Sequence, residues 1–199
     1  MALVVNVLEI ALKGIFITMQ SGLKNDEWMA AQTAAAIKAF ILAGQVVTVD
    51  VGAAPTGVYT GAGIGTMIID VGGLKDSFQK TFEAGYDCND LASAIAQDID
   101  TACSADNIVT IISTGAATTP VGAPVPFSGP GAGSFTGAKV SIEKTLKACF
   151  AVMNGMAAGG DAFFAAQLAL AVFAYLQAGV ISVTLNAPFV SGTGIGGLL

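Results

Sequence analysis

One short pattern occurs three times in this chain: Ser or Thr followed by three glycines that are separated by single residues. It reads TGAGIG at 60–65, SGPGAG at 128–133 and SGTGIG at 191–196. A run of β-branched residues precedes each copy, at 46–51, 108–113 and 180–185, and its composition and length predict a strand. Self-similarity of this kind is the sequence signature of an internally repeated fold.

Two helices are predicted ahead of each strand. The second is Ala-rich and begins near an acid, Asp26, Asp90 or Asp161, which we interpret as its N-cap because Asp accepts hydrogen bonds from free backbone N–H groups. The first helix has apolar residues on one face. These are Leu8, Leu12, Ile15, Phe16 and Met19 in the first unit, Leu74, Phe78 and Phe82 in the second, and Ile142, Leu146, Cys149, Phe150 and Met153 in the third.

The predicted fold class is therefore α+β, with three internal repeats of helix, helix, strand and Gly/Pro-rich arm. The units are 1–73, 74–137 and 138–199, and they share one globular assembly. We favour closure around a pseudo-threefold axis over an open array, because the helices are short and the arms differ in length.

The glycine motifs do not match a phosphate-binding loop. Such a loop lies directly between a strand and a helix N-terminus, and the Walker version continues with Lys. Here residues of the arm separate strand from motif, and no Lys follows. We interpret the motifs as parts of extended arms that pack on a sister unit or another subunit, since Pro favours extended backbone and glycine allows close approach. The predicted assembly residues are Pro55, Gly61, Gly63, Gly65, Pro124, Pro126, Gly129, Gly131, Gly133, Pro188, Gly192, Gly194 and Gly196.

The chain has no His and no Arg, and its net charge is −6. It therefore lacks the commonest general base and metal ligand, as well as the guanidinium that binds phosphate and base edges. Nucleic acid is excluded as a partner on these grounds, and we expect no enzymatic activity, cofactor or metal.

Two acidic pairs are the candidates for catalysis, Asp98 with Asp100 and Glu83 with Asp87. We expect Asp98 and Asp100 to lie on different helix faces, and Glu83 and Asp87 to form a solvated i,i+4 pair. The three cysteines, Cys88, Cys103 and Cys149, have no metal-binding spacing and are interpreted as small buried apolar residues of a reducing compartment.

Hydrophobic residues make up 54% of the chain, charged residues only 11%, and the mean hydropathy is +0.72. Three classes of protein fit these values. An assembly subunit with a large apolar interface is favoured. A small integral membrane protein is an alternative, because 162–185 is uncharged and long enough to span a bilayer. A soluble module whose arms enclose a ligand is the third.

With its TGAGIG, SGPGAG and SGTGIG words and their preceding strands, the sequence resembles the small Ala/Gly/Thr-rich virion proteins of tailed bacteriophages. The resemblance implies an accessory structural component of the tail, baseplate, neck or head, assembled in the host cytoplasm. Its partners would be copies of itself and other structural proteins. The resemblance transfers no functional residues.

The arm interpretation predicts the effect of charge inserted in the motifs. Gly63→Glu or Gly194→Glu should impair assembly more than it impairs the helical content of the subunit.

Overall fold

The computed structural model describes residues 3–22, 24–54, 57–105, 108–118, 124–187 and 190–199. Two helices and two strands alternate along the chain, which confirms the α+β class. The elements are α1 (Val5–Gln20), α2 (Asp26–Ala43), β1 (Val46–Ala54), β2 (Gly57–Met67), α3 (Val71–Glu83), α4 (Cys88–Cys103), β3 (Val109–Thr118), β4 (Pro124–Thr136), α5 (Lys139–Met153), α6 (Gly160–Ala178), β5 (Val180–Ala187) and β6 (Val190–Leu198).

The three predicted strands are present as β1, β3 and β5, but the segments predicted as arms are strands too. Each glycine motif lies in β2, β4 or β6 and pairs with the strand before it. The arm description was therefore wrong for the local structure. Gly and Pro are generally depleted in strands, so composition alone predicted irregular arms. In this fold the glycines are tolerated because a narrow barrel requires small residues on its inner side.

The six strands form a closed antiparallel barrel in chain order, and β6 pairs with β1 to complete it. One inward residue from each strand forms a layer at the end next to the helices. This layer consists of Val46, Met67, Val109, Phe135, Ile181 and Leu198, and all six are buried. It belongs to a hydrophobic core that continues among the helices.

The glycines of the motifs face the inside of this barrel. At the level of Gly63, Gly131 and Gly194, the larger inward residues come from β1, β3 and β5, and β2, β4 and β6 contribute these glycines beside them. Gly131, for example, pairs with Ile111 on one side and Leu185 on the other. A Cβ at Gly131 would lie 2.9 Å from Ile111 Cγ1 and 3.0 Å from Leu185 Cδ2. Small and large residues thus alternate around the barrel, as the interiors of small barrels require.

The six helices form a ring at one end of the barrel: each helix contacts the next along the chain, and α6 contacts α1. The predicted apolar faces of α1, α3 and α5 are confirmed. Leu12, Phe78 and Leu146 are completely buried, and their neighbours on the same faces are buried or partly buried.

The predicted N-caps were wrong by one to three residues. The cap residues are Asn25 for α2, Asp87 for α4 and Gly159 for α6. The Asp87 side chain accepts hydrogen bonds from the Asn89 and Asp90 N–H groups, which holds the pKa of Asp87 below its usual range. Asp26, Asp90 and Asp161 lie in the first turns instead. There they interact favourably with the positive end of the helix dipole.

The uncharged stretch 162–185 is divided between a helix and a strand. Helix α6 ends at Ala178 and β5 begins at Val180. By length and composition, α6 is the one helix within the described ranges that could cross a membrane, a property that buried core helices share. In the fold α6 packs between α1 and α5.

Two cysteines are buried, as predicted, and the third is not. Burial raises the pKa of Cys103 to about 12 and that of Cys149 to about 11. Cys88, the first residue of α4, is exposed, so the prediction was wrong at this position.

Candidate assembly surface

Each glycine motif has an outward side as well as an inward one. Because side chains alternate along a strand, the residues between the glycines face solvent. In TGAGIG these are Thr60, Ala62 and Ile64, and all three are exposed. We call the outward side of the six strands the barrel wall.

One part of the barrel wall, formed by β6, β1, β2 and β3, exposes large apolar side chains next to one another. Val49 and Ile195 face each other across the β1–β6 pairing and are 71% and 63% exposed. Ile64 and Ile112 face each other across the β2–β3 pairing and are 55% and 62% exposed. We call these four residues the apolar wall. Contiguous exposed patches of this kind are typical of interaction sites.

The barrel wall also lacks charge. Among the residues that the six strands contain, Asp50 is the only charged one, and its side chain is completely buried inside the barrel. The described outward residues of β4 and β5 are mostly small or hydroxyl-bearing, such as Ser128, Ser182 and Thr184. An apolar partner could therefore cover the described side chains of the barrel wall without the free-energy cost of removing a charged group from water.

Among the described residues, half of β4 has a neighbouring strand on one side only. In the part of the chain that the structure describes, β4 pairs with β3 over Pro124–Gly133 but with β5 only over Gly131–Thr136. Pro124 and Pro126 lie in the singly paired half and are exposed. Proline on a free strand edge removes an N–H donor and discourages unspecific pairing with other strands.

The predicted assembly residues fall into three groups. The nine glycines face the barrel interior and are buried or only partly exposed. Pro124 and Pro126 are accessible at the free edge of β4. Pro55 and Pro188 lie outside the described residues. Sequence reasoning did not identify the apolar wall, although the alternation of glycine with Ile64 and Ile195 contained that signal.

Sequence reasoning also missed a polar cluster inside the barrel. The Asp50 carboxylate accepts hydrogen bonds from the Thr48 hydroxyl at 2.6 Å and from the Ser113 hydroxyl. The Tyr59 hydroxyl lies 2.6 Å from Ser113 Oγ. All four side chains are buried. We interpret the cluster as structural, because its buried hydroxyl and carboxylate groups hydrogen-bond to one another within the packed barrel.

The acidic pairs considered for catalysis are not brought together. Thr81 donates to Asp98 on one face of α4, whereas Tyr175 donates to Asp100 on another, which confirms that the two carboxylates diverge. Glu83 accepts from Gln79 in α3, and Asp87 caps α4, so the predicted i,i+4 pair was wrong because the α3–α4 turn separates them. Within the described residues, no three Cys, Asp or Glu side chains are grouped to hold a metal ion.

Comparisons of the chain with protein-family models, with curated proteins and with solved structures found no match.

Proposed function

We propose that this chain is a non-enzymatic assembly subunit that forms a homo-oligomer and packs on other structural proteins. The observation that carries the proposal is the apolar wall: four large aliphatic side chains, more than half exposed, on a barrel wall without charge. Burying such a surface against another molecule releases about 25 cal/mol per Å² of apolar area. A second subunit offers the same surface in a symmetric contact.

The position of the subunit in a larger particle rests on the sequence resemblance. An accessory component of a tailed-phage virion is the proposal that this resemblance favours. The exposed side chains of Pro124 and Pro126 lie apart from the apolar wall, which supports a contact with a different protein through side-chain packing rather than strand pairing.

We further propose that the three helix-helix-strand-strand units are equivalent and related by a pseudo-threefold axis along the barrel. Corresponding glycines have corresponding surroundings. A Cβ at Gly65, Gly133 or Gly196 would meet the carbonyl oxygen of the neighbouring strand, at Thr110, Ser182 and Val47 respectively. If each unit ends with its second strand, the boundary between the first two units lies between the end of β2 at Met67 and the start of α3 at Val71. The boundary predicted from the sequence was at residue 73.

A pair of charge insertions tests the assembly proposal. Ile64→Glu places a carboxylate in the apolar wall, and Thr184→Glu places one at an exposed outward position of β5. We expect the first variant to shift the oligomer toward monomer in analytical ultracentrifugation and the second to leave it unchanged. Equal effects of both variants would contradict the apolar wall as the interface, and circular dichroism verifies that each variant is folded.

A further inference from the structure

A pocket lies inside the helix ring, at the end away from the barrel. All six helices line it, with the C-terminal parts of α1, α3 and α5 and the N-terminal parts of α2, α4 and α6. Its volume is about 380 Å³, which is within the range of small-molecule sites. It opens to solvent and is separate from the apolar wall.

The pocket is lined mainly by aromatic and sulfur-containing side chains. Phe164 lines it, with its ring centroid 5.2 Å from that of Phe16 and 5.4 Å from that of Phe150. Met29 and Met153 contribute flexible thioethers, which adapt to ligands of different shape. A surface of this composition favours an apolar chain or ring and provides aromatic faces for a cation.

Asp161 is the one charged residue among the described lining residues. Its carboxylate accepts a hydrogen bond from the Gln20 side chain, a neutral partner, and no ion pair with a lysine forms at Asp161 among the described residues. Because Gln20 occupies one oxygen, the carboxylate retains further acceptor capacity for a ligand.

Other acidic side chains lie at this end of the helix ring, so the charge around the pocket is also mainly negative. Acids occupy the first turns of all three helices that begin there: Asp26 and Glu27 in α2, Asp90 in α4 and Asp161 in α6. The last turns of α1 and α5 contain no basic residue, and that of α3 contains Lys80. Lys75 is paired with Glu27 at 3.1 Å. Lys24, in the connection between α1 and α2 at this end, lies with its Nζ 5.5 Å from the centroid of the Trp28 ring. Acids still outnumber lysines here, so this end attracts a cation more than an anion.

We infer that this pocket binds an amphipathic amine, with its alkyl or aryl part among the phenylalanines and its ammonium group at Asp161. The aromatic and thioether lining selects the apolar part, and the carboxylate of Asp161, which has no lysine partner among the described residues, selects the head group. This site does not depend on assembly, because neither Phe164 nor Asp161 belongs to the apolar wall.

Three probes that share one chain and differ in head group test the inference: octylamine, octanol and octanoate, each below its micelle concentration. Isothermal titration of the folded protein at neutral pH should give binding of octylamine about fivefold tighter than of octanol, with octanoate the weakest. Asp161→Asn keeps an acceptor for Gln20 and removes the charge. This variant should bind octylamine no better than octanol, with octanol binding unchanged.

A second pair of variants tests whether binding occurs in the pocket. Met29→Trp fills part of it, whereas Leu170→Trp adds the same side chain at an exposed position of α6 outside it. We expect the first to abolish binding of octylamine and the second to preserve it, with folding of both verified by thermal denaturation.

Three outcomes would overturn the inference: no binding of octylamine to the unmodified protein, equal binding of all three probes, or an unchanged head-group preference in Asp161→Asn. The head-group series and Asp161→Asn decide the question even if Met29→Trp does not fold.

Discussion

Gly194 lies opposite Asp50 across the β6–β1 pairing, and a Cβ at Gly194 would collide with the Asp50 carboxylate and lie 2.7 Å from Val183 Cγ2. The glycine is required because the inside of the barrel is already filled at this level. Gly63 has the same constraint, since its Cβ would collide with Thr48 and Ile111.

Replacing either glycine by alanine should therefore destabilise the subunit itself. We expect Gly63→Ala and Gly194→Ala each to lower the free energy of unfolding by about 1–3 kcal/mol, the usual cost of overpacking a core. Urea denaturation measures this loss, and Thr193→Ala, the exposed outward neighbour, serves as the control. A Gly194→Ala protein as stable as the parent would contradict the tight barrel interior.

The same geometry changes the expected effect of charge in the motifs, which the sequence alone predicted to impair assembly more than helical content. Gly63→Glu and Gly194→Glu would place a carboxylate in the packed interior, next to buried Asp50. We now expect both variants to lose the fold as well as assembly. Charge at the outward position Ile64 is the informative substitution for assembly alone.

The polar cluster inside the barrel gives a second prediction about stability. Ser113→Ala removes the donor to Asp50 and the partner of Tyr59, and both are buried. Leaving such groups unsatisfied costs about 1–3 kcal/mol. Chemical denaturation should show this loss for Ser113→Ala but not for Ser182→Ala, an exposed serine of β5. If Ser113→Ala left the free energy of unfolding unchanged, the cluster would not contribute to stability.

Asp98 gives a prediction about pH. Burial raises the pKa of Asp98 above its ordinary value of 3.8, and the hydrogen bond from Thr81 opposes the shift. The folded state therefore holds this proton more tightly than the unfolded state, so the Asp98 contribution to stability falls as the pH rises from 3.8 through the raised pKa. At neutral pH the charged Asp98 carboxylate therefore lowers the stability of the folded state.

Asp98→Asn should remove that cost and still accept the hydrogen bond from Thr81. We expect the variant to be more stable than the parent at neutral pH by a few tenths of a kcal/mol, about the size expected for a partly exposed charge. The difference should disappear as the pH falls below 3.8. Thermal denaturation across this pH range measures it, and a less stable variant at neutral pH would show that the charged hydrogen bond outweighs the burial cost.

The sequence was sufficient to predict the helices and the first strand of each unit. The β-branched runs identified β1, β3 and β5, and helical spacing identified residues such as Leu12 and Leu146 as buried. The sequence did not predict that the glycine segments are strands. Glycine is needed there because Thr48, Asp50 and Ile111, from β1 and β3, already fill the space inside the barrel, and this follows only from the pairing of strands that are distant in sequence.

The pocket could not be predicted from local patterns either. Phe16, Phe150 and Phe164 are distant in sequence, and each fits an ordinary apolar helix face. Their convergence follows from closure of the helix ring, which depends on contacts between α1 and α6, the first and last helices.

The native mass of the purified chain in detergent-free buffer, measured by light scattering behind a sizing column, tests the assembly proposal most directly. We predict a discrete oligomer of the 19.8 kDa chain, dissociated by Ile64→Glu and preserved by Thr184→Glu. A stable monomer over the whole accessible concentration range would contradict the proposal that the chain forms a homo-oligomer through its apolar wall.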